Sequence, residues 1–584
     1  MLQKIMSKFY LILLFVLPFL YCAISEKELK KYMQSLYGEN KEISGDYDQS
    51  LSTKCNNGIF VGKKTGNVIS YKGIPYAKPP IDDLRWRNPV LAEDNSKVYE
   101  AYYFGKSPIQ TEYYYQPGSY YPQSEDCLFL NIWVNTKDTS NNKAVLVFIH
   151  GGSFGWDATS NPIFEGHNLI EAHPDAILVT IGYRLGLLGF LNLTSIPGGE
   201  NYKTSSNLGL LDMICALKWI NKNIANFGGD PDNVTIMGQS SGATSALLLP
   251  IIEGSEGLFK RIIAQSGSPS ITGSVIEAKL IINKFMKIIG DVTMDDLLSL
   301  SEEEIKEINK KMKVNSYATE REGNNIPLDL YEEYKSEKFK DIDILLGTNK
   351  DESRYWMKSL DYITPLKIGK FLYKKLMPVL YESDLKKMSD EDKKIVEEFM
   401  NLQKGKKIWK ITEFYNEIIF RLPANRIAEY HSQLGGKTYL YQFRYGGEDE
   451  LIGACHGIDL FYIFGNFELG MIAGKKVNNE LSSTIQNMWI NFAKTGNPST
   501  PEHTWEQYDN DKKKMMVLDE KIEMVENYKS EQTKLLEPLL KYYLHGNYDT
   551  MSYNVPQVYK IVAQLISTLL LIILLLSFII KLFK

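Results

Sequence analysis

The sequence predicts an α/β fold: a mostly parallel central sheet with helices on both faces, on a chain with an apolar segment at each end. Short β-branched runs alternate with segments of helical spacing. The runs are apolar throughout rather than at every second residue, as strands buried on both faces are. Alternation of this kind argues for parallel strands joined by crossover helices. A further observation concerns what the sheet carries: Gly238-Gln239-Ser240-Ser241-Gly242, Asp351-Glu352 and His456-Gly457 occur in that order. A serine, an acid and a histidine form the set that activates a weak hydroxyl nucleophile.

Lys4 and Lys8 precede an apolar stretch from Phe9 to Leu20, and the small residues Ala23 and Ser25 follow. This is the layout of a secretory signal peptide over residues 1–23, cleaved near Cys22 to Ser25. Residues 24–52 read as a leader, with a short helix expected at Lys27–Leu36. The body, residues 53–545, supplies the strands: Ala144–Ile149, Ala176–Tyr183, Asn233–Met237 and Asp343–Gly347. Leu211–Asn223 has helical spacing (Leu211, Ile214, Leu217, Ile220), stopped at Phe227-Gly228-Gly229-Asp230-Pro231. Lys279–Lys313 and Lys367–Lys410 read as helical insertions with solvated charges.

After a spacer at 546–560, residues 561–580 carry no charge and are long enough to cross a bilayer once. Lys581 and Lys584 favour a cytoplasmic tail at 581–584. The alternative is a GPI signal, since Gly546 and Asn547 are small and a polar spacer follows; the charged end favours the spanning helix. The body is therefore expected in the secretory pathway, extracellular or luminal, as a single-pass membrane protein.

Composition narrows the function classes. A net charge of -5 leaves no basic stripe for nucleic acid. The 44% hydrophobic and 12% aromatic content is ample for a large core. Beyond Cys22, the cysteines are Cys55, Cys127, Cys215 and Cys455, too scattered for a dense disulfide framework. No Cys/His cluster has zinc spacing, and no metal or cofactor is expected.

Val234–Met237 places Ser240 at a strand end, with Gly242–Leu249 opening the next helix. Flanking glycines permit the strained turn that lifts a serine above the sheet, in the chain order of an α/β-hydrolase. His150-Gly151-Gly152-Ser153-Phe154 follows another strand, where an oxyanion loop belongs. Losing one oxyanion donor typically costs about 3–4 kcal/mol of transition-state stabilisation.

Glu125-Asp126-Cys127-Leu128-Phe129-Leu130-Asn131-Ile132-Trp133 resembles a signature of the type-B carboxylesterase/cholinesterase family. Gly73–Ala77, Tyr183–Gly186, Phe227–Pro231, Gln265–Ser268 and Trp489–Pro498 are similar to family segments too, over roughly residues 58–525. The resemblance implies Ser240 as nucleophile, Glu352 as triad acid and His456 as general base, with Gly152, Ser153 and Ser241 as oxyanion donors. Asp351 is the alternative acid. It also implies buried pairs Arg85–Glu125 and Arg184–Asp212.

The departures from that pattern are informative. Lys106-Ser107-Pro108 stands where the family places the cysteine that pairs with Cys127, and Cys55 is a poor substitute. Gln239 replaces the glutamate that cholinesterases have before the serine, removing a charge that would attract a quaternary ammonium. The segment before Glu125 has Tyr113, Tyr114, Tyr115, Tyr120 and Tyr121 but no tryptophan at the choline-binding position. Adhesion relatives share a Gly-Gly-Ser loop but lack the nucleophile, which this chain keeps. The expectation is a serine hydrolase for neutral carboxylic esters. The rivals are a catalytically idle adhesion or receptor ectodomain and a membrane-tethered lipase. Asn192-Leu193-Thr194 is a glycosylation candidate, oxidation or alkylation of Cys455 beside His456 is expected to disturb the site, and Ser530–Tyr543 serves either a homodimer or packing within the domain.

Overall fold

The computed structural model describes residues 38–110, 121–314, 316–323, 325–357, 369–467 and 477–544. Eleven strands form the main sheet: β1 (Lys63–Thr65), β2 (Val68–Pro75), β3 (Phe129–Asn135), β4 (Lys143–Ile149), β5 (Ala176–Ile181), β6 (Gly229–Gln239), β7 (Arg261–Gln265), β8 (Asp343–Asn349), β9 (Thr438–Phe443), β10 (Met515–Leu518) and β11 (Glu523–Val525). Their spatial order is β11-β10-β9-β8-β7-β6-β4-β5-β3-β2-β1. From β5 through β10 every pairing is parallel. The edges, β3-β2-β1 on one side and β11 on the other, are antiparallel. A separate three-stranded sheet is formed by Ser52–Cys55, Asn57–Val61 and Asn95–Glu100, in the first part of the body.

Uniformly apolar strands result because both faces of the sheet are covered. On β4, Val145, Val147 and Ile149 enter one core while Ala144, Leu146 and Phe148 enter the other. Helix α1 (Leu208–Asn223) and helix α2 (Ser241–Leu248) bury residues in the first core. The second core is closed by α3 (Asp459–Phe464) and α4 (Asn479–Thr495), which brings the fully buried Trp489. Each fully buried Leu, Ile or Phe contributes about 1.5–3 kcal/mol.

The insertions are helical as expected, at Val275–Ile289, Met294–Leu298, Glu302–Met312, Gly369–Lys387, Asp390–Leu402 and Lys407–Tyr415. Three of their N-termini carry capping boxes, Ser274/Glu277, Thr293/Asp296 and Ser301/Glu304. The two implied ion pairs are formed and buried: Arg85 Nε to Glu125 Oε2 and Arg184 Nη2 to Asp212 Oδ1, both 2.6 Å.

Cys55, Cys127, Cys215 and Cys455 are all free and buried. Burial pushes the Cys455 thiol well above its ordinary value, with the carboxylates of Glu352 and Asp351 acting the same way. This thiol is therefore shielded and un-ionised, which works against the oxidation or alkylation expected to disturb the site. Asn192 Nδ2 donates to Glu320 Oε2 at 2.7 Å, which ties the sequon to the short strand Glu320–Arg321. In Ser530–Tyr543, Leu536, Leu539, Leu540 and Tyr543 are buried in the chain's own core. Among the described residues no helix is long and apolar enough to cross a membrane. The expected signal peptide, the helix at Lys27–Leu36, and the spanning segment at 561–580 lie outside the described residues.

Candidate active site

Strand β6 ends at Gln239 and α2 begins at Ser241, leaving Ser240 alone on the turn with φ 57° and ψ −125°. A non-glycine residue at positive φ is strained, and the surroundings fix it here. Ser240 N donates to Gln265 O on β7, and Ser240 O accepts from Thr244 N, both at 2.9 Å. The start of α2 also sits against the end of β4, where a Cβ at Gly242 would stand 2.1 Å from Ile149 O. Glycine at that position is what lets helix and strand approach so closely.

The same approach brings the loop after β4 to the serine. A Cβ at Gly151 would stand 3.0 Å from Ser240 Cβ. Gly152 and Ser153 follow at φ 98° and 51°. Ser153 thus adopts the left-handed conformation without glycine, held by Tyr317 N donating to its carbonyl at 2.9 Å. Among the described residues, the N–H groups of Gly152, Ser153 and Ser241 meet no acceptor. His150 beneath them stacks on Tyr183 at 4.5 Å, and burial pushes its imidazole down to about 4, neutral at ordinary pH.

The acid and the histidine come from the loops after β8 and β9. His456 Nδ1 lies 2.6 Å from Glu352 Oε2. Glu352 is fully buried, and its other oxygen accepts from Ser266 Oγ at 2.5 Å and Asn349 N at 2.7 Å. Asp351 faces elsewhere: its carboxylate meets Arg354 at 2.9 Å and accepts from Ala454 N at 3.1 Å, while its own N–H donates to Ala454 O. Asp351 therefore staples the two loops together, and Glu352 is the carboxylate against the ring. Asn349 Nδ2 adds a bond to Cys455 O at 2.8 Å.

The expected site residues thus converge at one end of the parallel sheet, outside the carboxyl ends of its strands, where α/β folds place their sites. One expected contact is replaced by another. His456 Nε2 lies 3.0 Å from Gln239 Nε2, and no hydrogen bond joins Ser240 Oγ to the ring. Phe420, Tyr355 and Trp356 surround the imidazole at 5.2, 5.9 and 6.0 Å between centroids. Phe420 arrives on a π-helical turn, Asn416–Arg421, a distortion often found at functional sites. Sequence reasoning singled out neither the roles of Ser266 and Asn349 nor this aromatic shell. Ser266 follows a strand end beside the serine turn, the local signal that marks it.

Residues 48–536 match the carboxylesterase family. The chain is 31% identical over 511 residues to para-nitrobenzyl esterase of Bacillus subtilis, covering 82% of this chain and 97% of that protein. It is 29% identical over 505 residues to acetylcholinesterase of Leptinotarsa decemlineata, covering 77% and 79% respectively. Among solved structures, a Geobacillus stearothermophilus carboxylesterase superposes with a TM-score of 0.72 at 28% identity, over 83% of this chain and 99% of that one.

Proposed function

The chain belongs to the carboxylesterase family and is a carboxylic ester hydrolase, and from that premise we propose that Ser240, Glu352 and His456 are its catalytic triad. The observation that carries the assignment is the 2.6 Å contact of His456 Nδ1 with the buried Glu352, beside a serine strained on a glycine-flanked turn. Ser240 attacks the ester carbonyl while His456 Nε2 takes its proton and Glu352 stabilises the imidazolium. The carbonyl oxygen becomes an oxyanion held by the N–H groups of Gly152, Ser153 and Ser241. Collapse expels the alcohol, protonated by His456, and leaves an acyl-serine. Water, activated by the same ring, then releases the acid.

The preferred substrate is a neutral ester. The residue before the nucleophile is an amide, so no carboxylate stands there to favour a cationic group. Aromatic rings around His456 offer apolar surface instead. We place the enzyme in the secretory pathway with its catalytic domain extracellular or luminal, tethered by residues 561–580; this part rests on the sequence alone.

Ser240→Ala tests the assignment. The purified variant is expected to keep its fold by circular dichroism and lose turnover of p-nitrophenyl esters, and retained turnover would overturn it. In the wild-type protein, a fluorophosphonate adduct mapped by mass spectrometry is expected on Ser240.

A further inference from the structure

The ring nitrogen of His456 that points away from Glu352 has a partner. Gln239 Nε2 stands 3.0 Å from His456 Nε2. An amide nitrogen only donates, so the imidazole nitrogen accepts and the ring proton resides on Nδ1, donated to Glu352. That is the tautomer a general base requires, but its lone pair is occupied. Ser240 Oγ, meanwhile, makes no hydrogen bond among the described residues.

The amide is built into this place. Gln239 is 6% exposed, with its backbone at the end of β6. Its side chain lies between the oxyanion loop and the histidine loop: a Cβ at Gly151 would stand 2.9 Å from its Oε1, and one at Gly457 3.6 Å from its Nε2. At Gly151 any side chain would collide with the amide oxygen.

We propose that Gln239 is a positioning residue for the base: its amide holds the Nε2 lone pair of His456 in the resting enzyme and yields it to the Ser240 hydroxyl when an ester binds. The proposal rests on the triad assignment and deepens it. The exchange is one of hydrogen bonds alone. The Gln239 N–H···Nε2 bond breaks and the Ser240 O–H···Nε2 bond forms, after which the proton and electron pair move as in any serine esterase. Before the exchange, the amide fixes the ring's orientation and tautomer, since its N–H can be donated to Nε2 only while that nitrogen carries no proton. It also competes with the serine, which lowers the fraction of enzyme poised to react.

Other groups facing the ring are common to wild type and variants. Glu352 lies at Nδ1, and the buried carboxyl of Asp459 interacts with the ring electrostatically. The Cys455 thiol is un-ionised, the Tyr355 phenol flanks the ring, and Asp351 is paired with Arg354. A shift on changing residue 239 therefore reports residue 239.

The test compares the full enzyme with Gln239→Met and Gln239→Glu, reading the rate of fluorophosphonate inactivation and the pH profile of kcat/KM for a neutral ester. Methionine has nearly the same size and no donor. It is expected to speed inactivation at the pH plateau by about 2- to 10-fold, the range set by the net worth of one hydrogen bond, and to move the acid limb to higher pH. Glutamate is expected to move the limb further in the same direction and to slow inactivation at neutral pH, because an anion beside Nε2 retains the imidazolium. An acid limb and an inactivation rate both unmoved in Gln239→Met overturn the proposal, whatever the glutamate variant does. If the methionine variant does not fold, Gln239→Leu, which also lacks a donor, takes its place in both measurements. A wild-type enzyme without an adduct on Ser240 refutes the triad instead, whereas an adduct with variant-insensitive limbs refutes only the role of Gln239.

Discussion

Glu352→Gln is the substitution whose outcome the geometry dictates most closely. Oε1 of Glu352 accepts from two donors, Ser266 Oγ and Asn349 N, while Oε2 faces His456 Nδ1. A glutamine in the same rotamer must leave its carbonyl oxygen with the two donors. Its NH₂ then takes the place of Oε2 and points at the ring. Two donors cannot face each other, so Nδ1 gives up its proton and becomes an acceptor. The proton moves to Nε2, which requires the Gln239 amide to turn its oxygen to the ring and abolishes the lone pair needed by the proposed nucleophile Ser240. Inverting the tautomer in this way costs about 10⁴-fold in kcat in serine proteases. That corresponds to about 5.4 kcal/mol of activation free energy at 1.36 kcal/mol per tenfold. The assay is kcat on a p-nitrophenyl ester, with thermal unfolding as a control for the fold. A folded variant that keeps more than about a tenth of wild-type kcat would refute the reasoning, since so small a loss is far below the tautomer cost. Asp351→Asn would then be the variant to examine, although its carboxylate meets Arg354 rather than the ring.

Two stability predictions follow from buried charge. Arg85→Met leaves Glu125 uncompensated at 2% exposure and releases Leu297 O and Leu298 O, to which Arg85 also donates. A loss of about 3–5 kcal/mol in urea unfolding is expected, with the double variant Arg85→Met/Glu125→Leu recovering most of it; a loss below about 1 kcal/mol would mark the pair as surface-like. Burial raises the Asp157 carboxyl to about 6, whereas the unfolded chain has the ordinary 3.8. Between these values the folded state binds more protons than the unfolded state, so this stability is present at low pH and lost as pH rises through about 6. The loss amounts to about 3 kcal/mol. His150, held down to about 4 when folded, acts in the opposite sense, losing stability as pH falls below its ordinary range. The two nearly cancel in the wild-type profile, and the difference between wild type and Asp157→Asn isolates the carboxyl. The asparagine variant is expected to gain on wild type as pH rises from 4 to 7, and a difference constant across that range would refute the argument.

What was legible in the sequence was what depends on local pattern. Ala144–Ile149 is a strand because its β-branched residues fill both cores, and the serine turn follows from glycines within two residues of Ser240. The capped insertions carry their start signals in their own first turns. What was not legible depends on which atom faces which across the fold. Gln239 and His456 are 217 positions apart, and no spacing rule connects them. Gln239 was readable as a missing negative charge but not as the partner of His456. Phe420 reaches the ring only because the backbone widens into a π-helical turn, which no periodicity announces.

The missing cysteine partner of Cys127 shows the same division in the opposite direction. From sequence it reads as a constraint removed near the site. In the structure, Ser107 and Pro108 pair with Gln123 and Ser124 as two short strands, closing the loop by backbone bonds. Gln123 Oε1 then accepts from Gln110 N at 2.9 Å. Gln110 in turn clamps the backbone of Asp157, its Nε2 donating to Asp157 O and its Oε1 accepting from Asp157 N, both at 2.8 Å. Asp157 ends the turn that carries Gly152 and Ser153. A covalent closure would have tied the loop to itself, whereas this one ties the loop to the segment offered as the oxyanion hole. The constraint has therefore moved rather than vanished, and it now runs through side-chain amides that a cysteine count cannot reveal.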